Sequence, residues 1–599
     1  MLEFPVVPKW WTTGAKFVKL KKPFTPPNFI VGYDTETCKG EIMTQQFCFS
    51  KYGLKQRKER IEWVNEDNVL DNFLEFVGQF HGFITLYCFN SKFDLSILLR
   101  KYIDKFLEDD FTVKHEDRKG RIWEIRVCCS KNWYAFFIRN NCFIYFLDIQ
   151  NFFSGSLDKV ARAFQCETQK LTKPDNLGEI LFYQNDKQFV DYALADSRLC
   201  LEIAEKLLEM HEEFDIPVAT SSANFAEKVF RRDFIAEGVR FQFPSEFPCL
   251  RLSELCYHGG KNGYYMDTPA HIHNCYEYDF NSAYPFAMHS LPSFLSGKYE
   301  RVNTFRDNVV GVYHVIGYVK PCKYGILYNS RFNYYRFNET VKVQSFCTSF
   351  ELEEAIKSKE FKIESIKGYI WKPDTRENPL KDYNRYFWEK KNSTPKKDIR
   401  YIFYKLLLNS LYGKWIQRNP IRESRLIHSN GQINLFRRQD TAGGLYHPFI
   451  ASLITGHTRA RLHEAEHFYE AIESSTDSVK SRKYNAKSEK LKEMGVMQLE
   501  TITCEDCKKD YKKFDGLFVR NRLNLLMCPN EHIIKCALHG FWGKPKVLLG
   551  MFKNKEYVYE VDRMPLIREG IKQIGKNLFQ MNNEERTIKD FSWDDLVTL

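Results

Sequence analysis

The stretch Tyr276-Glu277-Tyr278-Asp279-Phe280-Asn281-Ser282-Ala283-Tyr284-Pro285 constrains this chain more than any other. It reads as a short strand that ends in a carboxylate and passes at once into a tight turn. Strand alternation puts Glu277 and Asp279 on one face and Tyr276 and Tyr278 on the other. Pro285 has no N–H to give and is expected to stop the strand. An aspartate at a strand end, beside the small Ser282 and Tyr284, suits a divalent metal holding a nucleotide triphosphate.

At 599 residues the chain is too long for one core, so three or more domains are expected. A net charge of +11 and an aromatic content of 16%, with 50 Phe and 33 Tyr, suit a partner whose phosphates need cations and whose bases need stacking faces. No apolar run approaches a membrane span, and Met1-Leu2-Glu3-Phe4-Pro5 does not open a signal peptide. The 17 scattered cysteines then read as reduced thiols of a cytoplasmic protein. No internal repeat is visible. The densest charge run, Lys480 to Glu493, is expected to be an exposed loop.

Three N-terminal stretches carry acids in an ordered pattern. Phe29 to Thr37 is a buried strand that includes Asp34 and Glu36, which share a face. Two like charges side by side repel and call for a cation between them. A second strand, Phe83 to Asn90, leads into Ser91-Lys92-Phe93-Asp94, with a helix expected from Leu95 to Lys101. Phe189 to Asp196 is apolar at helical spacing and puts Tyr192 and Asp196 on one helix face. Leu201 to Phe214 reads as an amphipathic helix closing this region.

This order of Asp-x-Glu, Asn-x-x-Phe-Asp and Tyr-x-x-x-Asp resembles the three motifs of DEDDy 3′–5′ exonucleases, which have an RNase-H-like fold. The resemblance implies that Asp34, Glu36, Asp94 and Asp196 hold two divalent ions roughly 3.5–4 Å apart. Tyr192 would orient the attacking water. Asn90 and Phe93 would grip a single-stranded 3′ end. Lys170 would contact the scissile phosphate, although Lys173 leaves that register open.

Further along, glycines in Tyr257-His258-Gly259-Gly260 allow close backbone approach. Lys396 to Lys414 reads as a helix, with Asp398 serving its start and Gly413 its end. The run Ser474-Ser475-Thr476-Asp477-Ser478 follows a helix expected over Thr458 to Glu473. Together with the opening stretch, these elements resemble protein-primed family B DNA polymerases. Tyr257, Gly259 and Gly260 stand in the Tyr-x-Gly-Gly element that contacts template. Asp279 to Pro285 is similar to motif A, with Ala283 in place of the usual leucine. Asp279 and the Phe280 carbonyl would bind metal, and Tyr284, beside Ser282, would exclude a 2′-hydroxyl. Lys405-x-x-x-Asn409-Ser-x-Tyr412-Gly matches motif B. It implies that Lys405 meets the triphosphate, with Lys390 or Lys391 as helper, that Asn409 and Tyr412 line the nascent base pair, and that Lys414 is a further phosphate contact. Motif C is usually Asp-Thr-Asp-Ser. Its first aspartate is Ser475 here, and its second, which ligates the metals, is retained as Asp477.

More than a hundred residues separate Asp279 from Lys405. Protein-primed relatives carry there an insertion that contacts the terminal protein. A second insertion fits Gln417 to Gly444, with Asn419-Pro420 and Asn430-Gly431 as turns. Downstream, Cys504, Cys507, Cys528 and His532 have the spacing of tetrahedral zinc ligands, with Cys536 or His539 as alternatives to His532. Arg522 resembles the basic residue of the family's primer-binding motif, and Lys555 is the alternative.

The resemblance implies a multidomain α+β and α/β protein. An RNase-H-like exonuclease domain (1–215) would precede a right-hand polymerase. That polymerase comprises the Tyr-x-Gly-Gly linker and first palm part (216–305), an insertion (306–389), fingers (390–416), a second insertion (417–445), the second palm part (446–500) and a thumb with a zinc ribbon (501–599). Expected cofactors are two Mg²⁺ per active site, with Mn²⁺ as a substitute, and one structural Zn²⁺. Expected partners are primer-template DNA, dNTPs, a single-stranded 3′ end and a terminal protein, with the chain a monomer replicating a phage, viral or plasmid genome. A polymerase primed by nucleic acid, and a DNA-binding factor impaired by Ser475, are the rival readings.

Overall fold

The computed structural model describes residues 19–563, apart from 39–40, 108–109, 130–131, 173–185, 245, 330–332, 335–337, 423–425, 430–431 and 436–438, and then 582–587 and 597–598. Lys173 and the Asn430-Gly431 turn lie outside the described residues.

The N-terminal region is built on an eight-stranded sheet in the order Lys58–Trp63, Glu41–Lys51, Phe29–Cys38, Gly82–Cys88, Cys142–Asp148, Tyr134–Arg139, Ile122–Cys128, Asp110–Glu116. Phe29–Cys38, Gly82–Cys88 and Cys142–Asp148 run parallel at its centre. Parallel strands are covered on both faces, and the alternation in Phe29–Cys38 shows how. Val31 and Tyr33 face a core shared with Phe73 and Leu74 of the helix Val69–Val77. Ile30 faces the helix Lys187–Glu213 on the other side, in a core with Leu199 and Leu201. The same alternation turns Gly32, Asp34 and Glu36 toward the long helix. A Cβ on Gly32 would lie 2.0 Å from the Ser197 carbonyl oxygen, so only glycine lets that helix settle onto the strand beside Asp34.

Two expectations for this region are corrected. The segments read separately at 189–196 and 201–214 form one 27-residue helix, capped by the Asp186 carboxylate on the Phe189 N–H. The helix around Asp94 is Ser91–Leu98, which starts four residues earlier than expected. Asp148, from the neighbouring strand, accepts hydrogen bonds from the Asn90 and Ser91 N–H groups at 3.0 and 2.8 Å. It satisfies helix-start donors that a local cap would otherwise serve.

The second sheet runs Ile533–Leu538, Leu523–Met527, Phe514–Arg520, Ala270–Phe280, Ser478–Ser481, Glu473–Ser475, Asn262–Tyr264, and Met497–Leu499 also pairs with Ala270–Phe280. The buried helix Pro448–Tyr469 packs against it. The expected helix Thr458 to Glu473 therefore begins ten residues earlier and ends at Tyr469, and Glu473 belongs to a strand. Pro285 does not stop the strand, which ends at Phe280. It lies in the first turn of the helix Ala283–Ser290, where a missing N–H costs no intrahelical bond. Nor is Lys480 to Glu493 an exposed loop throughout. Lys480 is buried in Ser478–Ser481, held by Glu473 at 3.1 Å and Glu277 at 3.8 Å.

Between these elements stands a four-stranded antiparallel sheet, in the order Gly297–Val302, Phe361–Pro373, Gly311–Val319, Val341–Thr348, with its own core and the helix Ser349–Lys357. Two packed helices follow, Pro379–Ser393 and Ile399–Ser410, joined by the Tyr383 hydroxyl donating to the Leu407 carbonyl at 2.8 Å. Asp398 caps the second as expected. Gly413 does not end it: the chain tightens into a 3₁₀ turn over Tyr412–Ile416. Asn419-Pro420 lies within the strand Arg418–Arg422, paired with Gln439–Ala442, and is not a turn. Among the described residues, no helix is long and apolar enough to cross a membrane.

Candidate active sites

Two clusters of acids form, one on each large sheet. In the first, Asp34 and Glu36 project from Phe29–Cys38, Asp94 from Ser91–Leu98, and Tyr192 and Asp196 from Lys187–Glu213. Burial holds the Asp34 carboxyl well above the usual carboxylate range, and the charges of Glu36, Asp94 and Asp196 add to it. Asp94 is pushed up to about 8, mainly by burial, while the Thr35 hydroxyl donates to it at 2.7 Å. Tyr192 is raised by burial and then by Glu36, Asp196 and Asp34. Lys170 makes an ion pair with Asp196. Asn90, exposed and in a left-handed conformation (φ 73°), and Phe93 open and line the first turn of the helix that carries Asp94. Burial and mutual repulsion that hold Asp34 and Asp94 above the usual carboxylate range make this group chemically suited to dications.

The second cluster sits where Ala270–Phe280 pairs with Ser478–Ser481. Asp279 is opposite Ser478, and the Phe280 N–H donates to the Asp477 carbonyl at 2.9 Å. Asp279 is pushed up to about 8 by burial first, and then by Asp477, Glu500 and Glu277. Asp477 is raised to about 6, chiefly by burial. Ser475 donates its hydroxyl to the Asn262 side-chain carbonyl at 3.1 Å, while the Asn262 amide donates to the Gly260 carbonyl at 3.1 Å. The seat of the missing acid is therefore filled by a neutral hydrogen-bonded pair.

The Tyr257-His258-Gly259-Gly260 run braces this turn. The Thr476 N–H donates to the Lys261 carbonyl at 2.7 Å, and a Cβ on Gly260 would fall 2.7 Å from the Thr476 side chain. Arg459, fully buried on Pro448–Tyr469, donates to the Gly259 carbonyl at 3.1 Å and to Glu351 at 2.8 Å. Buried Glu466 pairs with Lys261 and accepts from Ser474 at 2.6 Å.

The helix Ile399–Ser410 presents exposed Lys405 and Asn409 on one face. The Tyr412 ring stacks on Tyr284 at 3.9 Å and 6°, and both rings lie within the field of Asp477. Tyr284 belongs to the turn that starts at Ser282, itself left-handed at φ 57°. Lys391 is lowered to about 8 by burial and then by Lys405 and Lys396. Of the two candidate helpers it is the one in the field of Lys405, and it lies over the Trp388 ring as Lys390 lies over the Tyr386 ring. Lys414 departs from expectation. It is buried, paired with Glu227 at 3.0 Å, and is not available to a phosphate.

A family model described as DNA polymerase type B, organellar and viral, matches residues 183–493, more than half of the chain. The chain belongs to this family. Among solved structures, this type B chain is similar to phi29 DNA polymerase complexed with primer-template DNA and incoming nucleotide substrates. The two are 16% identical, with a TM-score of 0.66, over 94% of this chain and 100% of that one. Phi29 DNA polymerase complexed with single-stranded DNA is similar over 90% of this chain and 97% of that one, at 14% identity and a TM-score of 0.63. At this identity the likeness shows the fold. No curated protein matches in sequence.

Downstream of the matched segment, Cys504, Cys507, Cys528 and His532 converge. Sγ–Sγ separations are 3.9 and 3.7 Å, and the His532 Nδ1 lies 3.1 Å from the Cys507 Sγ. Tetrahedral Zn–S bonds of about 2.3 Å set sulfurs about 3.8 Å apart, so the donor set fits zinc. Cys536, exposed on the next strand, and His539 are not part of the cluster. Arg522 is exposed in the turn before Leu523–Met527, its N–H donating to Glu473 at 2.7 Å, and Lys555 closes the helix Pro545–Asn554.

Sequence reasoning missed two residues of the second cluster. Lys535 on Ile533–Leu538 pairs with Glu277 at 2.8 Å and lowers both Asp279 and Asp477. Glu500, whose N–H donates to the Glu277 carbonyl at 2.9 Å, adds a fourth acid to Asp279, Asp477 and Glu277. Each stands alone in its segment, and only the pairing of distant strands brings it to Asp279.

Proposed function

We propose that this chain is a DNA-directed DNA polymerase with a separate 3′–5′ exonuclease, initiating on a terminal protein. The adjoining Asp279 and Asp477, with Tyr284 and Tyr412 in the field of Asp477 and Lys405 in that of Glu500, carry the first part of that reading. Asp279, Asp477 and the Phe280 carbonyl would hold two Mg²⁺ ions, and Asp34, Glu36, Asp94 and Asp196 two more. When bound, such ions acidify the attacking hydroxyl or water and neutralise charge on the phosphate. In synthesis the primer 3′-oxygen bonds to the α-phosphorus as pyrophosphate leaves. Lys405 and Lys391 meet the triphosphate with charge already in position. The Tyr284–Tyr412 stack floors the sugar and leaves no room for a 2′-hydroxyl. In degradation Tyr192 orients the water, Lys170 turns from Asp196 to the scissile phosphate, and Asn90 and Phe93 hold the 3′ end. Retention of Asp477, with Ser475 engaged by Asn262, favours an active polymerase over a DNA-binding factor.

Protein priming is supported by the four-stranded insertion between Asp279 and Lys405 and by the paired strands that follow Ile416. Incubation with a labelled dNTP, Mg²⁺ and the genome's terminal protein is expected to give a covalent dNMP–protein adduct. Extension of a nucleic-acid primer alone would replace this reading with the nucleic-acid-primed one.

Gly260→Ala drives a methyl group into Thr476 and shifts the turn that bears Asp477. We expect synthesis to fall roughly a hundredfold, as displacements near 1 Å do, with 3′-end degradation unchanged in the same preparation. The zinc cluster fixes the start of the strand that carries Lys535. Cys507→Ser, or a chelator selective for zinc over magnesium, is expected to slow extension and spare degradation.

A further inference from the structure

Glu360, His463 and His467 play no part in either acid cluster or in the cysteine site. His463 and His467 lie one turn apart on the helix Pro448–Tyr469. Glu360 lies in the turn that joins the helix Ser349–Lys357 to the strand Phe361–Pro373 of the four-stranded insertion. The Glu360 Oε1 is 3.0 Å from the Nε2 of both histidines, and those two nitrogens are 3.2 Å apart. On its far side the fully buried His463 ring places Nδ1 3.1 Å from the Glu354 carboxylate.

We infer that Glu360, His463 and His467 form a binding site for a zinc-type transition-metal dication that staples the insertion to the helix leading to Asp477. A carboxylate has only lone pairs, so the His463 Nδ1 must donate to Glu354. In a neutral imidazole this leaves a lone pair on Nε2, facing the lone pairs of Glu360 and beside the Nε2 of His467. Without a metal the triangle is held either by one N–H shared between two acceptors or by two N–H groups converging on one oxygen. A dication satisfies all three atoms at once. Bonds of 2.0–2.1 Å in a tetrahedron separate ligand atoms by about 3.3–3.4 Å, close to the spacing here. The Glu354–His463 contact is the outer partner that fixes a ligating histidine's tautomer. Two imidazoles and a carboxylate select zinc, cobalt or nickel over magnesium. The His467 side chain is 45% exposed, so solvent reaches that side of the site. The site does not depend on the polymerase reading.

Cobalt titration of the metal-stripped full chain tests it, with bound metal counted and absorption recorded. With a large excess of Mg²⁺ present to occupy the two acid clusters, wild type is expected to take up one equivalent with an intense thiolate charge-transfer band, from the cysteine site, and a second with only weak visible bands. His467→Ala, at a half-exposed position that folding tolerates, and Glu360→Gln should each remove the second equivalent and keep the thiolate band. Wild type binding no cobalt beyond the thiolate-bound equivalent would overturn the inference, as would a second equivalent that survives in both variants.

Discussion

Asp279→Asn is expected to lower nucleotide incorporation by about three orders of magnitude or more, because an anchor for both ions of the synthetic site is lost and each tenfold corresponds to about 1.4 kcal/mol of transition-state stabilisation. Degradation of a single-stranded 3′ end should be unchanged, since Asp279 and Asp34 stand on different sheets. Folding should not suffer. Asp279 is raised to about 8 because burial, Asp477, Glu500 and Glu277 oppose its charge, and the amide relieves that opposition. The melting temperature without metal should therefore stay level or rise, and Mg²⁺ should raise it less than in wild type. A variant that loses incorporation together with its cooperative melting transition would instead point to a structural role.

Asp34→Ala should produce the mirror image. Asp34 lies among Glu36, Asp94 and Asp196, and its carboxyl is forced upward by burial and by all three. Its removal is expected to cut 3′-end degradation by about a thousandfold while primer extension proceeds at the wild-type rate. With trimming abolished, mismatched primer ends should persist, and misincorporated nucleotides should accumulate in the product. Gel analysis of a 3′-mismatched primer, with and without dNTPs, reads both effects.

Much of this was legible in the sequence because the chemistry sits on short, locally determined elements. Asp34 and Glu36 share a face by strand alternation, and Lys405 and Asn409 share one by helical spacing. Strand alternation likewise puts Glu277 on the Asp279 face, where its charge acts on Asp279. What was not legible depends on partners far away in the chain. Lys480 belongs to a charge-rich run, yet the carboxylates of Glu277 and Glu473 draw it into the interior. Lys414 continues the motif of Lys405, but the chain tightens after Ser410 and turns it to Glu227. The Asp94 helix starts earlier than its local sequence suggests because Asp148, from another strand, accepts from the Asn90 and Ser91 N–H groups. Lys535 and Glu500 reach Asp279 only through strand pairing that no local pattern encodes.

The account rests on two separate acid clusters with opposite effects on the same DNA strand. Its most direct test follows one end-labelled primer-template with Mg²⁺, with and without dNTPs, using wild type, Asp279→Ala and Asp34→Ala in parallel. Wild type should lengthen the primer with dNTPs and shorten it without them, Asp279→Ala should only shorten it, and Asp34→Ala should only lengthen it. Equal loss of both activities in both variants would contradict the account.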